Sequence, residues 1–118
     1  MTAVGEVERA ILWAAIEDIP ALWSLVDEAQ AVIPDRGEAT EQARAVTRRL
    51  VQDGALVVLT GPKVEGDLER VTDQNEALRL LDDPRWWRTP NAYDEPVVCV
   101  DITPDGERRY YEATETRS

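Results

Sequence analysis

Two neighbouring tryptophans flanked by arginines, Arg85-Trp86-Trp87-Arg88, form the most unusual short segment of the chain. Trp and Arg are the residue types enriched at the energetically important positions of protein interfaces. Because adjacent side chains of an extended segment point to opposite sides, one indole can fill the core while the other faces solvent. We therefore expect either two core tryptophans or one core residue and one exposed anchor for a partner. The sequence leaves open whether Trp86 or Trp87 is the exposed one.

Carboxylates cluster in the stretch that leads to these tryptophans, from about residue 65 to residue 83: Glu65, Asp67, Glu69, Asp73, Asp82 and Asp83. The last two lie at the end of a predicted helix, where negative charge opposes the helix dipole. A cationic partner would explain this placement, and neutralisation by Arg79 and Arg85 is the alternative. The cluster, together with Trp86 and Trp87, is the predicted partner-binding surface.

A second candidate surface is the outward face of a predicted helix over 38–53, which carries Gln42, Arg44, Arg48 and Arg49. Arg and Gln commonly contact bases and phosphates, so this face could bind DNA. The alternative is a solvated surface, with arginines at the favourable end of the helix dipole or paired with Glu41. Affinity for nucleic acid comes largely from neutralised phosphates, and the acidic stretch nearby would repel them.

Catalysis and metal binding have few candidate residues in this chain. It has no His and a single Cys, Cys99, which lies in an apolar segment and is expected to be a buried, unreactive side chain. Adjacent carboxylates such as Glu17 and Asp18 could bind a divalent cation, but no loop has the spacing of a dedicated calcium site. Glycine-rich phosphate loops and nucleophile elbows are also missing. We predict a protein without enzymatic activity, metal or cofactor.

The charge of the chain favours a basic partner. Asp and Glu total 24 against 13 Lys and Arg, which gives a formal net charge of −11. A compact domain of this charge attracts cationic surfaces, although adaptation of the host to salt would also produce an acidic excess. The first residues lack the basic and apolar regions of a signal peptide, so we expect a cytoplasmic protein that does not bind membranes.

The elements that must position these groups follow from hydrophobic periodicity and end signals. They are helices over about 7–16, 20–30 and 38–53, a strand over 56–60, a short helix opened by Asp73 and ended by Pro84, a strand over 97–102, and a helix opened by Thr103. Pro20 is expected in the first turn of the second helix, and Gly54 is expected to close the third.

These elements predict one mainly helical α+β domain over residues 1–118. Three N-terminal helices pack on a two-stranded antiparallel sheet, a long helical insertion over about 61–96 joins the strands, and a helix ends the chain. The expected core residues are Ile11, Trp13, Leu25, Val46, Leu50, Val58 and Val98. Trp23 is also expected in the core, and of Tyr110 and Tyr111 one should be packed and one partly exposed.

The order of elements resembles a winged-helix domain of small bacterial proteins. Residues 48–57, RRLVQDGALV, look like the end of a recognition helix that passes through glycine into the first wing strand. Residues 100–108, VDITPDGER, are similar to the second wing strand and the start of the terminal helix. The resemblance covers most of residues 6–112 and implies DNA binding through helix 38–53, as well as dimers formed by the terminal helix. The chain departs from the pattern in its long insertion and in the acidic start of that helix.

Two functions follow as hypotheses. The first is a non-catalytic, acidic protein-binding module that neutralises a basic protein, by analogy of charge and size with immunity proteins and antitoxins; it would be a monomer or a weak homodimer. The alternative is a winged-helix transcriptional regulator that binds DNA through the third helix. Fold alone does not decide between them.

Overall fold

A computed structural model describes residues 3–62, 67–90 and 95–115. Along the described chain the elements are α1 (Ala3–Glu17), α2 (Leu22–Gln30), α3 (Arg36–Gln52), β1 (Leu56–Gly61), β2 (Glu69–Arg70), α4 (Gln74–Leu81), a 3-10 helix (Pro84–Trp87), β3 (Val97–Ile102) and α5 (Pro104–Glu115). The prediction of a mainly helical α+β protein is confirmed.

The three N-terminal helices begin and end at identifiable signals. Asp35 caps α3, and its carboxylate accepts a hydrogen bond from the Glu38 amide at 2.9 Å. Pro20, expected in the first turn of α2, lies before that helix, because its carbonyl accepts a hydrogen bond from the Val100 amide at 3.0 Å. Ala21 then pairs with Cys99. This short pairing with β3 keeps residues 20 and 21 extended, so α2 begins only at Leu22.

The sheet has the strand order β2-β1-β3, and both pairings are antiparallel. The predicted pairing of the two apolar strands is confirmed, with Val58 opposite Val100. The prediction of two strands is wrong, because the insertion returns along the free edge of β1 and adds the two-residue strand β2. Glu69 and Arg70 are both polar and exposed, so no alternation of apolar residues marks this strand in the sequence.

A tight junction joins α3, β1 and α5. Gly54 has a φ of +80°, which an L residue rarely adopts, and lies in the turn between α3 and β1 as expected. The Thr103 hydroxyl donates to the Gly54 carbonyl at 2.6 Å and accepts from the Gly106 amide at 3.0 Å. Gly106 lies so close to the Ala55 carbonyl that a Cβ atom would clash with it. This close approach fixes the start of α5 against the turn between α3 and β1.

The core lies between the helices α1–α3 and the sheet. Six of the expected core residues are buried: Ile11, Leu25, Val46, Leu50, Val58 and Val98. Trp13 is not, because its side chain is 42% exposed and stacks on Tyr110, with ring centroids 5.4 Å apart. Trp23 is only partly buried. Tyr110 is packed and Tyr111 is 48% exposed, as predicted for that pair.

Candidate functional site

The two tryptophans of the insertion lie on a 3-10 helix rather than on the extended segment that was expected. Asp83 caps this helix by accepting from the Arg85 amide at 3.0 Å, and Pro84 occupies its first turn. Trp87 is 3% exposed, and its indole N–H donates to the Leu81 carbonyl at 2.8 Å. Trp87 is therefore a core residue, and it is excluded as an exposed anchor.

Trp86 is the more accessible of the two, although it is partly buried. The Arg85 guanidinium carbon lies 4.3 Å from the centroid of its indole ring, within cation–π distance. Trp86 also lines a groove of about 510 Å³ together with Trp23, Arg88 and the first residues of β3. The indole nitrogens of Trp23 and Trp86 are buried and have no hydrogen-bond acceptor among the described residues.

Both aspartates at the end of α4 have partners within the chain. Asp83 forms an ion pair with Arg85 at 3.1 Å in addition to capping the 3-10 helix. The Asp82 carboxylate accepts from Arg48 Nε at 3.1 Å, and the Asp82 backbone carbonyl accepts from Arg44 Nη2 at 2.9 Å. The neutralisation predicted as the alternative is thus present, through Arg48 and Arg85 rather than Arg79. These contacts explain the position of Asp82 and Asp83 at a helix end without an external partner.

Asp82 connects the two predicted surfaces, the outward face of α3 and the acidic surface of the insertion. Arg44 and Arg48 belong to the possible DNA-binding face of α3, and Asp82 belongs to the predicted partner-binding surface of the insertion. In the fold α4 packs along α3, so these groups face each other. The side chain of Gln42, on the same helix, is partly buried.

Arg49, the remaining arginine of that face, belongs to a network that connects three helices. Its Nη2 lies 3.3 Å from the Glu8 carboxylate, which also binds Arg109 Nη2 at 2.7 Å. Arg109 further pairs with Asp53 at 2.9 Å. Burial lowers the pKa of Arg109, but the hydrogen bonds and charges of Asp53 and Glu8 outweigh it and hold the pKa above its ordinary value. Sequence spacing gives no signal for Glu8 and Arg109, which are 101 positions apart.

The remaining carboxylates of the predicted partner-binding surface lie along the insertion. Asp67 and Glu69 are exposed, and Glu69 lies on the short strand β2. Asp73 caps α4 and accepts from the amides of Asn75 and Glu76, which confirms the predicted helix start. Glu65 lies outside the described residues. We name Asp67, Glu69, Asp73 and the exposed Glu76 the wing carboxylates; none of them forms an ion pair with a described residue.

Cys99 is buried in β3, where burial and the nearby charge of Asp18 raise its pKa to about 11. At neutral pH this thiol is protonated and is a poor nucleophile. Among residues 3–62, 67–90 and 95–115, no group of three or more Cys, Asp or Glu side chains is arranged to hold a metal ion. Within the same ranges no helix is both long and apolar enough to span a membrane.

Searches with this sequence and fold found no matching protein-family model, no matching curated protein and no matching solved structure.

Proposed function

We propose that the chain is a non-catalytic protein-binding module on a winged-helix-like scaffold, and that its partner is a basic protein. The helix, helix, helix, strand, insertion, strand, helix order of the fold is compatible with that scaffold. The insertion between β1 and β3 is the feature added to it, and inserted loops on a rigid scaffold commonly carry function. The partner surface is the insertion, with Trp86 at its margin.

The observation that carries this proposal is the distribution of charge. Two arginines on the outward face of α3 form ion pairs within the chain, Arg48 with Asp82 and Arg49 with Glu8. The wing carboxylates Asp67, Glu69 and Glu76, in contrast, are exposed and form no ion pair with described residues. Unpaired, solvated charges of one sign attract a partner of the opposite sign and accelerate its encounter.

The same distribution weighs against the alternative, a DNA-binding regulator. A recognition helix must lie in the major groove with its side chains free to reach bases and phosphates. Here α4 lies against α3, and Asp82 and Glu8 stand beside the arginines that would make those contacts. Each of these carboxylates would lie near the phosphate backbone and repel it.

A charge-reversal experiment tests the protein-binding proposal. The variant Asp67→Lys, Glu69→Lys, Glu76→Lys changes three wing carboxylates, and the control Glu6→Lys, Glu17→Lys, Glu28→Lys changes three exposed carboxylates on α1 and α2. Affinity capture from the host, followed by mass spectrometry, should give a basic partner with the wild type and the control. With purified partner, the wing variant should lose association rate, more at low salt than at high salt. Equal loss in both variants, or binding of the partner by the wing variant at an unchanged rate, would contradict the assigned surface.

A mobility-shift experiment tests the alternative directly. At about 0.15 M salt, micromolar protein should not retard duplex DNA, because the surface around α3 carries its own carboxylates. Retardation that disappears with Arg48→Ala and Arg49→Ala would reverse the ranking of the two functions.

A further inference from the structure

A second, smaller cavity lies between the first half of α3 and the segment that follows the 3-10 helix. Its volume is about 300 Å³, at the lower end of the range of small-ligand sites. It is lined by Arg36, Thr40, Arg44, Pro84, Trp87, Arg88 and Thr89. The cavity is separate from the wing carboxylates, so its role does not depend on the function proposed above.

The lining has a charge that is unusual for this protein. Three arginines line one small volume, and no lining residue is acidic. The whole chain, in contrast, has a formal net charge of −11. Of the three arginines, only Arg36 has a carboxylate partner among the described residues, Asp27, so the cluster keeps an excess of positive charge that a bound anion stabilises.

Two of the three arginines have no carboxylate within ion-pair distance among the residues that the structure describes. Arg88 is exposed and forms no ion pair with a described residue. Arg44 donates one of its N–H groups to the uncharged backbone carbonyl of Asp82. Arg36 Nη1 donates to Asp27 at 3.1 Å and to Gln30 at 2.6 Å, which leaves its Nη2 and Nε groups available. The cavity is therefore rich in unused donors.

Helix geometry places Arg36 and Arg44 on one face of α3, about two turns apart. Arg36, Thr40 and Arg44 are spaced by four residues along α3, so they lie on one face of the helix. The Thr40 hydroxyl is bonded to the Arg36 carbonyl at 2.7 Å. Arg88 comes from the other wall, immediately after buried Trp87. Val46 of α3 and Trp87 of the 3-10 helix belong to one core, so packing positions the backbone of both walls of the cavity.

We propose that this cavity binds a small phosphate monoester. A phosphate monoester carries a charge of about −1.5 to −2 at pH 7 and three acceptor oxygens, which matches several arginines better than a single carboxylate does. The volume accommodates the phosphate and a small organic group, and Trp87 and Pro84 supply an apolar wall for that group.

Titration calorimetry on the full chain tests the proposal with three probes: phenyl phosphate, inorganic phosphate and benzoate. Phenyl phosphate should bind with one-to-one stoichiometry, more tightly than inorganic phosphate, which lacks the ring, and more tightly than benzoate, which lacks the dianion. Arg44→Gln and Arg88→Gln should each weaken phenyl phosphate binding by about tenfold or more, the usual effect of losing one charge-assisted hydrogen bond.

Arg79→Gln is the matched control, because Arg79 is an exposed arginine of α4 outside the cavity lining. It should leave the affinity for phenyl phosphate unchanged, and circular dichroism should show that all three variants are folded. Arg88→Gln keeps the test independent of the Arg44 contact with α4. No binding of phenyl phosphate, equal weakening in Arg79→Gln, or benzoate binding as tightly as phenyl phosphate would overturn the proposal.

Discussion

At the scale of single residues, the thiol of Cys99 shows how strongly β3 is shielded from solvent. Its neighbours are apolar, Ala21 pairs with it on the outer side of the strand, and burial raises its pKa to about 11. A thiol in water ionises near 9.0. The fold thus favours the neutral form of the thiol, and the side chain packs like a small apolar residue.

We predict that Cys99 reacts with an aromatic disulfide reagent at pH 8 only after denaturant unfolds the chain. The unfolded thiol ionises near 9.0 while the native thiol ionises near 11, so the unfolded state binds fewer protons between these values. The free energy of unfolding should accordingly fall as pH rises from about 9 to about 11. Rapid labelling of the native protein at pH 8, at the rate of an exposed thiol, would contradict the buried position.

At the scale of elements, α4 is attached to α3 by two different kinds of contact. Ala77 and Leu81 are buried against the core, whereas the ion pair between Arg48 and Asp82 is exposed, with 38% and 55% of the two side chains accessible. Exposed ion pairs contribute little to stability. The apolar face therefore holds the helix against α3.

We predict that Leu81→Ala lowers the free energy of unfolding by about 2–5 kcal/mol, because it leaves a cavity at a fully buried position. Arg48→Gln with Asp82→Asn should show a coupling energy below about 1 kcal/mol in a double-mutant cycle. Urea denaturation of the four proteins of the cycle and of Leu81→Ala provides both values. A coupling energy as large as the effect of Leu81→Ala would contradict this assignment.

Sequence patterns predict most elements of this fold, because their signals are local. The stripes of α3, the capping residue Asp73 and the turn at Gly54 each act within a few positions of the element they determine. Pairings across long separations leave no such signal. The strand β2 consists of two polar residues, and the acceptor of the Trp87 indole and the partners of Asp82 depend on how the insertion folds back. The basic cavity was missed for the same reason, since Arg88 joins Arg36 and Arg44 only in three dimensions.

At the scale of the whole molecule, the excess of acidic residues must oppose the compact state. The 24 acidic residues outnumber the 13 basic ones, so folding brings together carboxylates for which the chain has no basic counterpart. Such self-repulsion is long-ranged and is screened by salt, whereas short internal ion pairs are screened less.

We predict that the melting temperature rises when sodium chloride is increased from about 0.01 M to about 1 M, over which the screening length falls from roughly 30 Å to 3 Å. The rise should be smaller in Asp67→Asn, Glu69→Gln, Glu76→Gln, which removes three exposed negative charges. Calorimetry at constant pH measures both effects. A melting temperature that falls with salt would mean that the internal ion pairs outweigh the repulsion.

The pairing of β1 with β3 also determines when this chain can finish folding during its synthesis. Strand β1, at residues 56–61, has no long apolar partner until residues 97–102 have been made, and Glu8 meets Arg109 later still. On a ribosome, the three N-terminal helices and an unpaired apolar strand therefore precede the rest of the sheet. Non-local contacts of this kind slow folding and leave strand edges open to aggregation. A nascent chain stalled before residue 97 would expose the backbone edge of β1 that pairs with β3 in the folded protein.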